Sequence, residues 1–513
     1  MLNIKNISIR KISEDRELIK NLSFVLNQND KFAIIGLEGN GKSTLLKAIL
    51  NKNLIDYCEI SGEIYKEKIK IGYLEQNIKE VWQNETVIDF LLKEDINSEI
   101  EPDSYLKLAL LDKMLNQIKF NLEMFDENRK ISKYSGGEVV KLGLVKILIN
   151  EPDVLFLDEP TNDLDLETIL FLEDFILNES RPILFISHDE ALLKNTANGI
   201  IHLTQINKKR IAKSFFKKCS YTEYTDSYIR KMNQDEMLAK KQRSDFKKKM
   251  EKFRKIYQSV EYLQNQTVRD PSAARLLKKK VKSLKSTEKR FEKEKEDFID
   301  IPENEEEINI FYSDMVNIPK NKVIIDLKID KLMMKNKILS KNIELFVKGP
   351  QKIAIIGKNG CGKTTLLKTI YNNLCQRSDL TIGYMGQNYD EQLNSDLSAL
   401  EILLSDENID KVGKVRKMMG ALNFTREEML YPQTSLSGGQ KAKLLLLKTV
   451  IEDANVLILD EPTRNLSPLS IPVIHNLFNT YKGSIISVTH DRSFIDNCFD
   501  EIYFLDENGL KKI

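Results

Sequence analysis

The sequence carries one ordered set of segments twice, and this repeat constrains the fold more than any other feature. FAIIGLEGNGKSTLL, IGYLEQN, YSGGEVVKLGL, DVLFLDEPTNDLD and ILFISHD recur in the same order as IAIIGKNGCGKTTLL, IGYMGQN, LSGGQKAKLLL, NVLILDEPTRNLS and IISVTHD. The intervals agree as well. Ser135 precedes Asp158 by 23 residues and Ser437 precedes Asp460 by 23, while His188 and His490 each follow their aspartate by 30. The interval from Lys42 to Gln76 exceeds that from Lys363 to Gln387 by ten residues, an excess expected to form a surface loop or a small helical insert.

A chain of 513 residues exceeds the roughly 250 to 300 residues that one hydrophobic core supports. The division expected is a first copy over residues 1–220, a connector over 221–305 and a second copy over 306–513. FAIIG, VLFLD and ILFIS read as buried strands, and each glycine-rich loop opens a helix such as KSTLLKAIL. The fold class expected is α/β, with strand, loop and helix set on a mostly parallel sheet. The apolar stretches fall short of the roughly 18 to 20 residues that span a bilayer. The N-terminus lacks the apolar core and cleavage site of a signal peptide. Cys58, Cys219, Cys361, Cys375 and Cys498 are odd in number and lack CxxC spacing, which fits a reducing cytoplasm rather than a disulfide framework or a zinc site.

GLEGNGKS (Gly36–Ser43) and GKNGCGKT (Gly357–Thr364) match the pattern GxxxxGK[ST], in which backbone N–H groups converge on phosphates. The binding segments are Gly36, Gly39, Asn40, Gly41, Lys42, Ser43 and Thr44, and Gly357, Asn359, Gly360, Gly362, Lys363, Thr364 and Thr365. Lys42 and Lys363 are placed to reach the β and γ phosphates of ATP, with Ser43 and Thr364 on Mg²⁺. Asp158 and Asp460 end apolar strands, where a carboxylate sits beside the metal. Glu159 and Glu461 follow, positioned to polarise the attacking water, and His188 and His490 to contact the γ phosphate. His202 and His475 read as ordinary surface or core histidines.

Ser135, Gly136 and Gly137, and Ser437, Gly438 and Gly439, each precede a helix and form an anion site at its N-terminus. Alone, such a triplet is a helix cap. With the phosphate loops, it resembles the signature of ATP-binding cassette proteins, across both halves of the chain. That resemblance implies two tandem ABC-type P-loop ATPase domains paired within one monomer, with composite sites of Lys42 with Ser437 and Lys363 with Ser135. It also sets Gln76 and Gln387 near Mg²⁺ and the attacking water. Two departures stand out. Neither ISIRKISEDRELIK nor KIDKLMMKNKIL supplies the aromatic residue that the family stacks on adenine, so an aliphatic contact is expected. TRNLSP (Thr463–Pro468) replaces the acidic TNDLD of the first copy, which predicts unequal sites.

The net charge is only +1, but it is unevenly spread: Met237–Arg290 holds 18 Lys and Arg against five Asp and Glu, leaving the remainder near −12. From Thr225 to about Ile301 the pattern is helical. Phe246, Met250, Phe253, Tyr257 and Val260 make one apolar seam, and Leu277, Val281, Leu284, Phe291 and Phe298 a second. Pro271 in NQTVRDPSA breaks the run, predicting an antiparallel coiled-coil hairpin with its tip near Gln264–Arg275. An arm of about 40 residues reaches roughly 60 Å. A solvated linker accounts for the helices, whereas the basic bias favours a nucleic-acid partner.

Two cassettes, no membrane span and a basic helical linker resemble the ABC-F translation factors, and EPTRNLSPLS is similar to the antibiotic-resistance members. The resemblance implies a cytoplasmic, ribosome-associated protein without a stable membrane partner. Closed, ATP-bound cassettes would hold the linker near the P-site tRNA and peptidyl-transferase centre, displacing antibiotic until hydrolysis releases the protein. Lys247, Lys248, Lys249, Lys278, Lys279, Lys280 and Arg290 would then meet ribosomal RNA or tRNA phosphate. Gln266, Val268, Arg269, Arg275 and Leu276 at the tip would decide what is dislodged. A translation factor for stalled ribosomes without resistance activity, the ATPase subunit of a membrane exporter and a DNA-associated ATPase are the alternatives.

Overall fold

The computed structural model describes residues 2–513 except 67, 122, 124, 163, 207–210, 267–270, 297–316, 335–336, 394–395, 405–408, 423 and 465. Two units result: Met1–Thr222 with Glu305–Ile513, and Glu223–Asn304.

In the first copy the strands are β1 (Leu2–Lys11), β2 (Arg16–Leu26), β3 (Lys31–Ile35), β4 (Cys58–Tyr65), β5 (Ile71–Leu74), β6 (Val154–Asp158), β7 (Ile183–Ile186), β8 (Gly199–Ile206) and β9 (Ile211–Lys217). Six of them form one sheet in the order β5-β6-β7-β3-β8-β9, parallel except for the last pair. The apolar runs of β3, β6 and β7 are buried at every residue, as a parallel sheet covered on both faces requires. Because β3 lies between β7 and β8, the carboxyl ends of β3, β6 and β7 emerge side by side. Loops at those ends are where open α/β sheets hold ligands.

The second copy repeats this plan with β10 (Val323–Met334), β11 (Lys337–Lys348), β12 (Lys352–Ile356), β13 (Ile382–Met385), β14 (Val456–Asp460), β15 (Ser484–Val488), β16 (Glu501–Asp506) and β17 (Gly509–Lys512). Its six-stranded sheet runs β13-β14-β15-β12-β16-β17. The expected α/β fold with two P-loop domains is therefore present.

The longer segment of the first copy is more than a loop or a helical insert: a short 3-10 turn, Lys52–Ile55, leads into a strand. That strand, β4, pairs antiparallel with β1 and extends a β2-β1-β4 sheet, whereas β10 and β11 form only a two-stranded sheet. The alternation in CEISGEIY, with Cys58, Ile60 and Ile64 more covered than Glu59, Ser61 and Glu63, is the period-two signal of that strand. This antiparallel layer packs its Ile4, Ile7, Ile9 and Phe24 against the helix Lys42–Leu50 and the parallel sheet, in one core with Phe32, Leu45, Ile49 and Phe156. Phe156→Ala is expected to cost about 3 to 5 kcal/mol through lost transfer energy and a cavity that the rigid sheet cannot collapse. A lower urea midpoint for the cassette transition checks it.

The second unit contains most of a 46-residue helix, Tyr221–Gln266, and a helix Pro271–Glu296. Proline is tolerated at a first helical position because its missing N–H would be unsatisfied there anyway. Phe253 and Val260 of the first seam are buried, and Phe246, Met250 and Tyr257 are half-covered. The Phe291 ring meets Phe246 and Phe253 edge-on, with centroids 5.9 and 5.5 Å apart. Val281 and Leu284 share the covered side of the second helix, while Lys247, Lys248, Lys249, Lys278, Lys279, Lys280 and Arg290 are exposed. Val268 and Arg269 lie outside the described residues, as do Phe298 and the side chains of Gln266, Arg275, Leu276 and Leu277.

Candidate functional site

Each glycine-rich loop leaves its strand through a residue that cannot carry a side chain. A Cβ on Gly36 would lie 2.2 Å from the Leu203 carbonyl oxygen, and one on Gly357 2.4 Å from that of Leu505. Gly39, Gly41, Gly360 and Gly362 take positive φ, which glycine adopts without the Cβ penalty. The loop thus wraps the first turn of the next helix. Lys42 Nζ donates to the carbonyls of Gly36 and Leu37 at 2.9 and 3.3 Å, and Lys363 Nζ to those of Gly357 and Lys358 at 2.8 and 3.0 Å. Asn40 donates to the Leu203 carbonyl at 3.1 Å and ties the loop to β8.

At the carboxyl end of β6, Ser43 Oγ donates to Asp158 Oδ1 at 2.9 Å. Glu159, at φ 49°, turns its carboxylate toward three groups. Gln76 and Asn162 donate to its Oε2 at 2.7 Å, and His188 Nε2 lies 3.3 Å from Oε1. Burial would raise the Glu159 carboxyl, but the hydrogen bond and charge of His188, with Lys42 and Asn162, outweigh it and bring it down to about 2. The second copy differs. Glu461 is pushed up to about 8 by burial and the neighbouring Asp460 charge, against the opposing pull of the His490 backbone N–H, 3.3 Å away, and of the Lys363 charge. Burial, with Lys363 nearby, lowers His490 to about 4. The two carboxylates thus sit in different surroundings.

The two copies meet at these sites. His188 Nδ1 is 2.7 Å from the Leu466 carbonyl oxygen, and Arg492 pairs with Glu173 at 2.5 Å. Glu38 Oε2 accepts the Gly439 N–H at 2.9 Å, which brings the Ser437–Gly439 helix start to the first phosphate loop. Asp165 Oδ2 lies 3.5 Å from the Asn359 N–H, across to the second loop. A cavity of about 450 Å³ is lined by Asn359, Gly360, Gly362, Lys363, Thr364, Thr365, Gln387, Asp460, Glu461 and His490, and by Thr161, Asn162 and His188 of the first copy. A second cavity, of about 390 Å³, is lined by Gly39, Gly41, Lys42, Ser43, Thr44, Gln76, Glu159 and His188. Ser135 and Ser437 each cap their helix in a reciprocal box with Glu138 and Gln440. Ser135 is exposed, and Ser135, Gly136 and Gly137 line neither cavity.

Tyr57, which no motif in the sequence marks, lines the cavity of about 390 Å³ of the first copy with Leu18 and Arg16. The aromatic residue stands not upstream of the phosphate loop but downstream of it, just before β4. Met334 and Leu339 line the second-copy cavity, in keeping with an aliphatic contact there. His202 and His475 are both buried, the latter stacked on Phe494.

Among the described residues no group of three or more His, Cys, Asp and Glu side chains is arranged to hold a metal alone. The donor set present is a hydroxyl, a carboxylate and an amide at the end of a phosphate loop, which suits Mg²⁺ completed by phosphate oxygens and water. Both ring nitrogens of His490 are buried without a hydrogen-bond partner among the described residues, as a group awaiting phosphate would be.

Two P-loop domains in one chain, each presenting an SGG helix start, define an ATPase of the ATP-binding cassette class. The family model described as ABC transporter matches residues 19–162 and 340–464. Across 99% of its length the chain is 32% identical to the ATP-binding protein Uup of Buchnera aphidicola subsp. Acyrthosiphon pisum, covering 81% of that protein. It is 26% identical, also over 99% of its length, to 75% of the ABC transporter F family member 5 of Arabidopsis thaliana. The chain belongs to the ABC-F family of ATPases. Its fold is similar to that of the archaeal ribosome recycling factor aABCE1, solved in complex with the ribosomal stalk protein aP1, with a TM-score of 0.60 at 16% identity over 99% of this chain and 90% of that one. Among the described residues no helix is long and apolar enough to cross a membrane.

Proposed function

We propose that the chain is a ribosome-binding ATPase in which MgATP clamps the two cassettes together and the basic helices are thereby held against RNA near the P-site tRNA and peptidyl-transferase centre, protecting the ribosome from antibiotics. The supporting observation is the pair of exposed lysine runs, Lys247–Lys249 and Lys278–Lys280, on helices whose apolar seams are covered. Exposed cations on one side of a helix attract a polyanion, and phosphate neutralisation supplies sequence-independent affinity.

In this reading Ser43, Asp158 and Gln76 hold Mg²⁺ at one site, and Thr364, Asp460 and Gln387 at the other. When bound, the ion neutralises developing charge on the phosphates. Lys42 and Lys363 exchange their loop carbonyls for phosphate oxygens. The Ser437 and Ser135 helix starts close over the opposite loops, so Gly439 leaves Glu38 for a phosphate. Glu159 and Glu461 orient and deprotonate water, and His188 and His490 meet the γ phosphate. Tyr57 and Leu18 contact the base at one site, Met334 and Leu339 at the other.

Two measurements test the proposal: cosedimentation with ribosomes in the presence of a slowly hydrolysed ATP analogue, and inhibitory drug concentrations in a sensitive host expressing the protein. Nucleotide-dependent cosedimentation with raised tolerance to a ribosome-targeting drug is the expected result. Cosedimentation without any shift in tolerance would leave a factor for stalled ribosomes. Association with membranes or DNA in preference to ribosomes would overturn the reading.

A further inference from the structure

We propose that Tyr73 is a positioning residue for the divalent cation of the Lys42 site, and that the Lys363 site lacks this lock because Tyr371 draws the equivalent tyrosine away. The inference rests on the assignment of Asp158 and Asp460 to metal.

Tyr73 of β5 and Tyr384 of β13 occupy the same register beside their aspartate strands, opposite Phe156 and Ile458. In the first copy the Tyr73 hydroxyl donates to Asp158 Oδ2 at 2.9 Å, while Ser43 holds Oδ1 at the same distance. Asp158 is thus fixed with one oxygen toward the phosphate-loop hydroxyl and the other anchored away from it. In the second copy Thr364 reaches Asp460, but Asp460 Oδ2 is buried and without a partner among the described residues.

The cause lies one turn and more along the phosphate-loop helix. Tyr371 stands eight residues after Lys363, where the first copy has Leu50 eight after Lys42. The Tyr371 and Tyr384 rings stack with centroids 4.4 Å apart and planes 24° from parallel, a geometry that leucine cannot offer. Tyr371 is itself tied to Cys375 by a hydrogen bond. The exchange of one leucine for one tyrosine therefore decides whether the metal-side aspartate has an outer partner. Outer partners of metal-ligating carboxylates orient them before the ion arrives, and their loss typically costs 10- to 100-fold in metal affinity.

The test uses the full-length protein with a slowly hydrolysed ATP analogue and Mn²⁺ as probe, free Mn²⁺ being read by electron paramagnetic resonance. Two classes of site are expected, the tighter one abolished by Lys42→Ala and the weaker by Lys363→Ala. Tyr73→Phe should weaken the tighter class about 10-fold and leave the weaker unchanged. Tyr384→Phe should alter neither class, and Tyr371→Leu should tighten the weaker. Unaltered Mn²⁺ affinity in Tyr73→Phe, or equal weakening by Tyr73→Phe and Tyr384→Phe, overturns the proposal while leaving the ATPase intact. Failure of the wild-type protein to take up Mn²⁺ with nucleotide would overturn the metal assignment itself.

Discussion

The double variant Glu159→Gln with Glu461→Gln is expected to bind MgATP as the wild type does and to hydrolyse it about 100- to 10,000-fold more slowly, the span that a positioned general base contributes. Glutamine keeps the volume and one acceptor of each side chain, so the phosphate loops, Asp158 and Asp460 stay as they are. The capacity to take a proton from water is what disappears. At the first site Glu159 already receives Gln76, Asn162 and His188, an arrangement that orients the carboxylate and also makes it a weak base until those groups turn to the nucleotide. At the second site Glu461 is disposed to hold a proton, and it becomes a base only when added positive charge offsets its burial beside Asp460. The single variants should therefore differ in residual rate, and the double variant should accumulate on ribosomes with ATP. Phosphate release at saturating ATP, with nucleotide affinity measured in parallel, checks the prediction; turnover at the wild-type rate would remove both glutamates from the chemistry.

Replacing Lys247, Lys248, Lys249, Lys278, Lys279 and Lys280 together by Gln is expected to weaken ribosome association on the order of 1,000-fold at low salt and to flatten its logarithmic salt dependence by about five. All six side chains are exposed, away from the seam of Phe246, Phe253 and Phe291, so the helices should keep their packing. Salt-independent association, or affinity unchanged by the substitutions, would place the contact with the ribosome elsewhere on the molecule. Intrinsic ATP hydrolysis without ribosomes should stay constant, because none of these lysines lines a nucleotide cavity.

Much of the nucleotide machinery was legible because its parts are local. A phosphate loop is a strand end, a run of glycines and a helix start, and all three lie within about 20 residues of GLEGNGKS. The capping boxes at Ser135 and Ser437 follow equally from S-x-x-E and S-x-x-Q. β4 is also written in the alternation of CEISGEIY, a period that the difference in length between the copies does not show. Tyr57 was not readable by the same route, since its approach to Lys42 depends on where the antiparallel layer lies over the phosphate-loop helix.

The sequence by itself determined that there are two cassettes, which residues form each phosphate loop, and that positive charge is concentrated between them, because periodicity, glycine placement and charge are properties of neighbours along the chain. Only the tertiary structure decided what faces what. That Gly439 meets Glu38, that His188 reaches Leu466, and that Tyr73 holds Asp158 while Tyr384 stacks on Tyr371 are pairings of residues from 13 to 401 positions apart. A repeat makes the two copies alike in what they contain, whereas the packing of a few unlike side chains, Leu50 against Tyr371 among them, makes them unlike in how their carboxylates are held.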